Sequence, residues 1–278
     1  MASTPPEATY IHGTSPEEQS RLSILNALIN EGSLRELDLR GGESVLDVGC
    51  GLAQLTRAMA RAVGPSGRMV GVEKDPTQLA EAKRQAAEKN EEHLVELREG
   101  DAYALPLSKQ EWGAFDVAHA RFVLEHVGDP LRIVRGMVRA VRPGGRIVLE
   151  DDDHDVLRVH PEPPGFRALW EAYMQTYERL GNDPYIGRRL VSLLHQAGAK
   201  PVRNTWIFFG SCVGQPTFDA VVNNALSILR GARETILRQS LLDPAVFDET
   251  LTHFAAWGKR PDAALWFSIC WAEGVRPA

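Results

Sequence analysis

The stretch SVLDVGCGLAQLTRAMA, Ser44 to Ala60, decides the fold. Val45, Leu46 and Val48 read as a short buried strand, and LAQLTRAMARAV (52–63) reads as a helix. Gly49 and Gly51 lie between them, where a backbone without Cβ can turn tightly and approach a ligand. In an open α/β sheet, that place at the carboxyl end of the first strand is where ligands bind.

Outward from this turn, strands and helices alternate. RMVGVE (68–73) is a second strand, PTQLAEAKRQAAEKN (76–90) a helix, and LVELREGD (94–101) a third strand. AFDVAHA (114–120) is a fourth, VLEHVGDPLRIVRGMVRAV (123–141) is largely helical, and PGGRIVLED (143–151) is a fifth. Such alternation predicts βαβ crossovers and a parallel sheet covered on both faces. After Glu150 the rhythm changes. Residues 163–182 and 184–199 read as helices, 201–211 as a strand, 217–242 and 243–259 as helices, and ALWFSICWAEG (264–274) as a closing strand. The two late strands predict a final hairpin with a helical insertion. Upstream, SPEEQSRLSILNALI (15–29) predicts a helix with Ser15 as N-cap, Pro16 at its first position and Glu18 completing a capping box.

Composition narrows the function classes. The 278 residues are 44% hydrophobic and 24% charged, which fits a folded domain with a sizeable core. A net charge of −6 argues against a broad nucleic-acid surface. Cys50, Cys212 and Cys270 are widely spaced and form no metal-ligand pattern, so buried thiols and no metal are expected. The N-terminus has no signal-peptide pattern and no run reaches a bilayer-spanning length, so no membrane association and a cytoplasmic location are expected.

The glycine turn suits either a nicotinamide dinucleotide or S-adenosylmethionine. Glu73, 22 residues beyond Gly51, is placed to accept hydrogen bonds from ribose hydroxyls in both cases. A diphosphate expects a third glycine where Gln54 stands. Asp47 would repel a diphosphate and attract the ammonium group of a methionine moiety. Asp101, after the third strand, could accept the adenine amine, with the backbone amide of Ala102 beside it.

Together VLDVGCGLAQLTRAMA, VGVEKDP, EGDAYALPL, FDVAHARFVLEHVGDP and VRPGGRIVLED, in that order over residues 40–152, resemble the class I S-adenosylmethionine-dependent methyltransferases, particularly their small-molecule branch. The resemblance implies an α/β, Rossmann-like, seven-stranded, mostly parallel sheet with an antiparallel last strand. Helical lid insertions would follow strands five and six. It implies Asp47, Gly49 and Gly51 around the methionine part, with Gln54 beside them. Glu73 would hold the ribose, Lys74 would flank the adenine, Asp101 and Ala102 would bind it, and Arg121 would lie near the sulfonium. Tyr10, His12 and Arg21 fall in a segment similar to one that caps the cofactor, so residues 1–40 would cover it. Residues 41–278 would form the methyltransferase domain, with lids at about 155–197 and 216–258.

Methyl transfer from a sulfonium is an in-line displacement that requires positioning first, and a base only for a protonated acceptor. His154 is the candidate base and His126 a second candidate for substrate contact. The run EDDDHD (150–155) leaves the fifth strand toward the crevice, and one of Glu150, Asp151 and Asp152 is expected to face it. An acidic lip would favour a cationic acceptor. Phe166, Trp170, Tyr173, Tyr177, Tyr185, Trp206, Phe208 and Phe218 would wall an apolar acceptor pocket, unless the first four, at helical spacing, are simple core. The expected protein is therefore a monomeric or homodimeric methyltransferase using S-adenosylmethionine, with S-adenosylhomocysteine as product and a small-molecule acceptor. A NAD(P)-dependent oxidoreductase and a non-catalytic S-adenosylmethionine-binding protein are the alternatives.

Overall fold

The computed structural model describes Asn26 and residues 29–278. The expected N-cap at Ser15 and the candidate contacts Tyr10, His12 and Arg21 lie outside the described residues. A first helix, α1, covers residues 29–37.

Apolar residues at alternate positions bury both faces of the main sheet. Strands β1 (Ser44–Val48), β2 (Arg68–Glu73), β3 (Glu96–Glu99), β4 (Phe115–Arg121) and β5 (Val141–Asp152) run parallel in the order β3-β2-β1-β4-β5. On β1, Val45 joins one hydrophobic core with Met69, Val117 and Val148. Its neighbours Leu46 and Val48 join the opposite core with Val70, Val72, Ala118 and Leu149. That two-sided burial is what a parallel sheet requires. Helices α2 (Gln54–Val63), α3 (Pro76–Glu88) and α4 (Pro130–Ala140) are the crossovers. Both α3 and α4 begin at an Asp-Pro pair. Asp75 accepts from the amides of Thr77 and Gln78, and Asp129 from that of Arg132, which satisfies donors left open in the first turn.

The expected hairpin closes the sheet. β7 (Lys200–Phe208) and β10 (Ser268–Val275) pair antiparallel, and β10 also pairs antiparallel with β5, giving seven strands in one sheet. Two features differ from the sequence reading. The closing segment is two strands: β9 (Ala264–Trp266) ends one residue before β10 and belongs to a second antiparallel sheet with β6 (Arg158–His160) and β8 (Ser211–Cys212). The segment 155–197 is also divided. Helix α5 (Phe166–Arg179) packs with α7 (Phe218–Arg238) and α8 (Pro244–Trp257) as a helical cap, whereas α6 (Leu190–Gln196) lies on β10 and β7. The amphipathic pattern of α6 alone does not say which apolar surface receives it. Aromatic packing joins the cap: the Phe166 and Phe254 rings lie 4.6 Å apart, and those of Phe254 and Trp257 5.3 Å apart. Among the described residues, no helix is long and apolar enough to cross a membrane.

Candidate active site

A cavity of about 1080 Å³ opens over the carboxyl ends of β1, β2 and β4 and continues under the cap. Its sheet end is polar. Gly49 holds φ at +72° and Gly51 at +52°, left-handed values that glycine adopts without strain. A Cβ on Gly49 would meet Val123 Cγ2 at 2.4 Å. Glu73 Oε2 accepts from the Gly51 amide at 2.8 Å and Oε1 from the Asp75 amide at 2.9 Å, so the acid and the turn are one unit. Burial raises the Glu73 pKa, and those amide bonds oppose the rise. Asp101 faces Lys74 across 3.8 Å, with Ala102 beside it on the cavity wall. Gln54 lines the same wall, and its side-chain amide donates to Gln85 on α3 at 3.0 Å.

Asp47 lines the cavity with a prior engagement. Its Oδ2 accepts from Thr56 Oγ1 at 2.6 Å, and its Oδ1 lies 2.8 Å from His119 Nδ1. The other ring nitrogen, Nε2, lies 2.9 Å from Glu150 Oε1. Burial alone would lower the His119 pKa, but the two carboxylates lift it to about 9. The ring is thus an imidazolium held between two acids, and the first charge Asp47 meets is this cation. Arg121, expected near a sulfonium, lines the cavity and reaches toward α1: its guanidinium donates to Asn26 Oδ1 at 2.5 Å, Asn30 Oδ1 at 2.9 Å and Ser33 Oγ at 3.0 Å. Phe122, next to it, has φ +55°, a strained value for a bulky residue at the cavity edge. Burial, with Asp47 and Glu73 nearby, raises the Cys50 thiol pKa well above its ordinary value, which disfavours the thiolate.

The cap end is aromatic. Trp170, Tyr173, Tyr177, Phe209 and Phe267 line it together with Glu125, His126, Asp152 and His154. His154 Nε2 lies 3.0 Å from Glu125 Oε2, both side chains being buried. His126 stacks on Tyr177 at 5.8 Å, with its Nε2 3.3 Å from Glu125 Oε1. Glu125, Asp152 and His154 bring ligand-capable atoms within 4.8 Å of one another.

The acidic run does not form a lip. Glu150 serves His119, and Asp151 turns away to accept from the amides of Leu124 and Asp152. Asp153 and Asp155 bind the Arg188 guanidinium. Asp152 is the one of the expected three that lines this cavity. Arg188 and the Pro184 carbonyl brace the turn carrying His154. Glu125 was not singled out from sequence, because nothing local marks a carboxylate that meets its partner 29 positions later.

A family profile described as a methyltransferase domain matches residues 39–188. An uncharacterized 37.1 kDa protein in transposon TN4556 of Streptomyces fradiae is 34% identical over 71% of this chain and 53% of its own length. A demethylmenaquinone methyltransferase of Halalkalibacterium halodurans is 28% identical over 59% of this chain and 66% of its own. The matched stretch thus spans between about half and two-thirds of those relatives. A geranyl diphosphate C-methyltransferase from Streptomyces coelicolor, solved with Mg²⁺, geranyl diphosphate and S-adenosylhomocysteine, superposes with a TM-score of 0.55 at 14% identity, covering 98% of this chain and 89% of the other. The chain belongs to the methyltransferase domain family. Its architecture is that of the class I S-adenosylmethionine-dependent enzymes.

Proposed function

We propose that this protein transfers the methyl group of S-adenosylmethionine to a small, aromatic acceptor enclosed by the cap. One observation carries the reading: a single cavity joins the glycine-carboxylate cradle of Gly49, Gly51 and Glu73 to a buried aromatic chamber. The cradle suits the cofactor. Gly49 and Gly51 leave room for the methionine part, Glu73 takes the ribose hydroxyls, and Asp101, Ala102 and the Lys74 stem border the adenine. Asp47, its carboxylate held in place by Thr56 and His119, acts on the ammonium group, and Gln54 closes the helix side. Bound there, the cofactor supplies an activated methyl group.

The protein's own work is orientation and exclusion of water. Helices α5, α7 and α8 are the lid over the acceptor, and α1, fastened through Arg121, covers the cofactor end. His154 and His126 are the residues of the chamber that meet the acceptor. An aromatic acceptor is favoured over a cationic one, because Glu150, Asp151, Asp153 and Asp155 serve protein partners while aromatic rings wall the chamber.

Calorimetry with S-adenosylmethionine, S-adenosylhomocysteine and NADH tests the cofactor. The expected result is binding of the first two and none of NADH; tight NADH binding alone would sink the reading.

A further inference from the structure

We infer that His154 and Glu125 form a proton-accepting pair and that the acceptor is a planar apolar ring bearing a weakly acidic hydroxyl. The inference rests on the methyltransferase reading and names its substrate class. A carboxylate 3.0 Å from Nε2 takes a hydrogen bond from Nε2–H, so the ring proton sits there and Nδ1 keeps its lone pair. Nδ1 is buried and has no hydrogen-bond partner in the protein. His154, 4% exposed, is on the chamber wall. Buried polar atoms are nearly always hydrogen-bonded, so a ligand that donates to Nδ1 would complete this site.

The surroundings define the rest of that ligand. The rings of Tyr177, Tyr173, Trp170 and Phe267 lie 5.0, 5.5, 6.0 and 6.3 Å from the imidazole. Their polar atoms are already engaged: Trp170 Nε1 donates to the His154 carbonyl, and the Tyr173 and Tyr177 hydroxyls bond each other at 2.9 Å. These rings therefore present flat faces around the imidazole, and its Nδ1 lone pair lies on a wall shared with Glu125, His126 and Asp152. Titratable groups facing His154 are Glu125 and His126 from the 124–126 turn, Asp152 and Asp153 from the end of β5, and Tyr173 and Tyr177 from α5. Burial outweighs the two aspartates and lowers the imidazole pKa, which keeps the ring neutral and basic near pH 7.

A neutral amine needs no buried base to accept a methyl group, whereas a hydroxyl oxygen is a poor nucleophile until its proton leaves. In the step, the hydroxyl proton passes to Nδ1. An oxygen lone pair forms the bond to the methyl carbon as the carbon–sulfur bond breaks, and sulfur keeps that electron pair. The products are a methyl ether and S-adenosylhomocysteine. His154 is left as an imidazolium facing Glu125 and returns its proton to solvent. His154 is then the catalytic residue and Glu125 a positioning residue.

The test uses the whole chain, S-adenosylmethionine and two probes of one shape, 1-naphthol and 1-naphthylamine. Expected are methylation of the naphthol with the amine at least about tenfold slower, and a rate that falls as acid protonates His154. His154→Gln should lower kcat by about a hundredfold or more with cofactor Kd within about twofold. Glu125→Gln should lower kcat about tenfold and alter the pH profile, with partial recovery in Glu125→Asp. Nitrogen NMR of the unsubstituted protein should show the Nε2–H tautomer of His154 at pH 7. Methylation of the amine alone, failure of 1-naphthol to bind the S-adenosylhomocysteine-loaded protein, or an Nδ1–H tautomer would overturn the inference. So would activity lost to EDTA and restored by Mg²⁺, which would put a cation in the Glu125–Asp152–His154 cluster. Absence of cofactor binding would instead refute the methyltransferase reading, leaving the tautomer measurement to judge the pair.

Discussion

Ser33 Oγ donates a 2.7 Å hydrogen bond to Glu150 Oε2, joining α1 to the end of β5 across 117 positions of sequence. Glu150 passes that connection to His119, and His119 to Asp47 at the glycine turn. Helix α1 is thus wired to Asp47 at the glycine turn. Because both ring nitrogens of His119 face carboxylates, the link is charged.

Its charge makes stability depend on pH. The folded His119 value, about 9, lies above the ordinary 6.5, so the folded state binds the proton more tightly. The contribution is full below about pH 6.5 and is lost as pH rises through 9. It amounts to about 3 kcal/mol by linkage. Urea unfolding at pH 6 and pH 9.5 should show this loss, and His119→Gln should flatten it. An equal decline in both proteins would assign the effect elsewhere.

Ser33→Ala should destabilise by about 1–3 kcal/mol, since it leaves a fully buried carboxylate oxygen without its donor. It also removes one of the Arg121 partners. The cofactor Kd should weaken together with the denaturation midpoint. Stability unchanged within 0.5 kcal/mol, on the ordinary scale of surface substitutions, would show the bond to be dispensable.

Glu73→Ala removes the acceptor of the Gly51 and Asp75 amides as well as the expected ribose contact. S-adenosylmethionine affinity should fall by about 1–3 kcal/mol. Calorimetry checks this, and an unchanged Kd would remove Glu73 from the site.

Gly49→Ala should cost roughly 1–3 kcal/mol of stability from its positive φ and its collision with Val123. Adding Val123→Ala relieves the collision and leaves the backbone strain, so the double variant should recover only part of the loss. Full recovery would mean that φ at this turn costs little.

How legible the fold was depends on the distance each signal spans. The β1 turn, the Asp-Pro helix starts and the apolar alternation of β1 to β5 are local, so the sequence carries them in a few adjacent residues. The antiparallel hairpin was also foreseeable, because two apolar segments flank one helical block. The small β6-β9-β8 sheet was not: its strands are two or three residues long and meet across some 50 to 100 positions. The candidate site divides in the same way. Glycines and Glu73 announce themselves, while the Asp47–His119–Glu150 chain and the Glu125–His154 pair come from strands that only the sheet brings together. The EDDDHD run misled as an acidic lip because alternate residues of a strand end face opposite sides, which sends Asp151 away from the cavity.

Phe267 alone separates β9 from β10, and its ring lies against His154. One residue therefore splices the roof of the chamber onto the penultimate position of the main sheet, with no slack to absorb a change in length. An insertion there would slip two ladders at once, so a transplanted cap must carry β6, β8 and β9 as a set. Exchanging the side chains of α5 and α7 that line the cavity therefore disturbs the fold less than remodelling the seam.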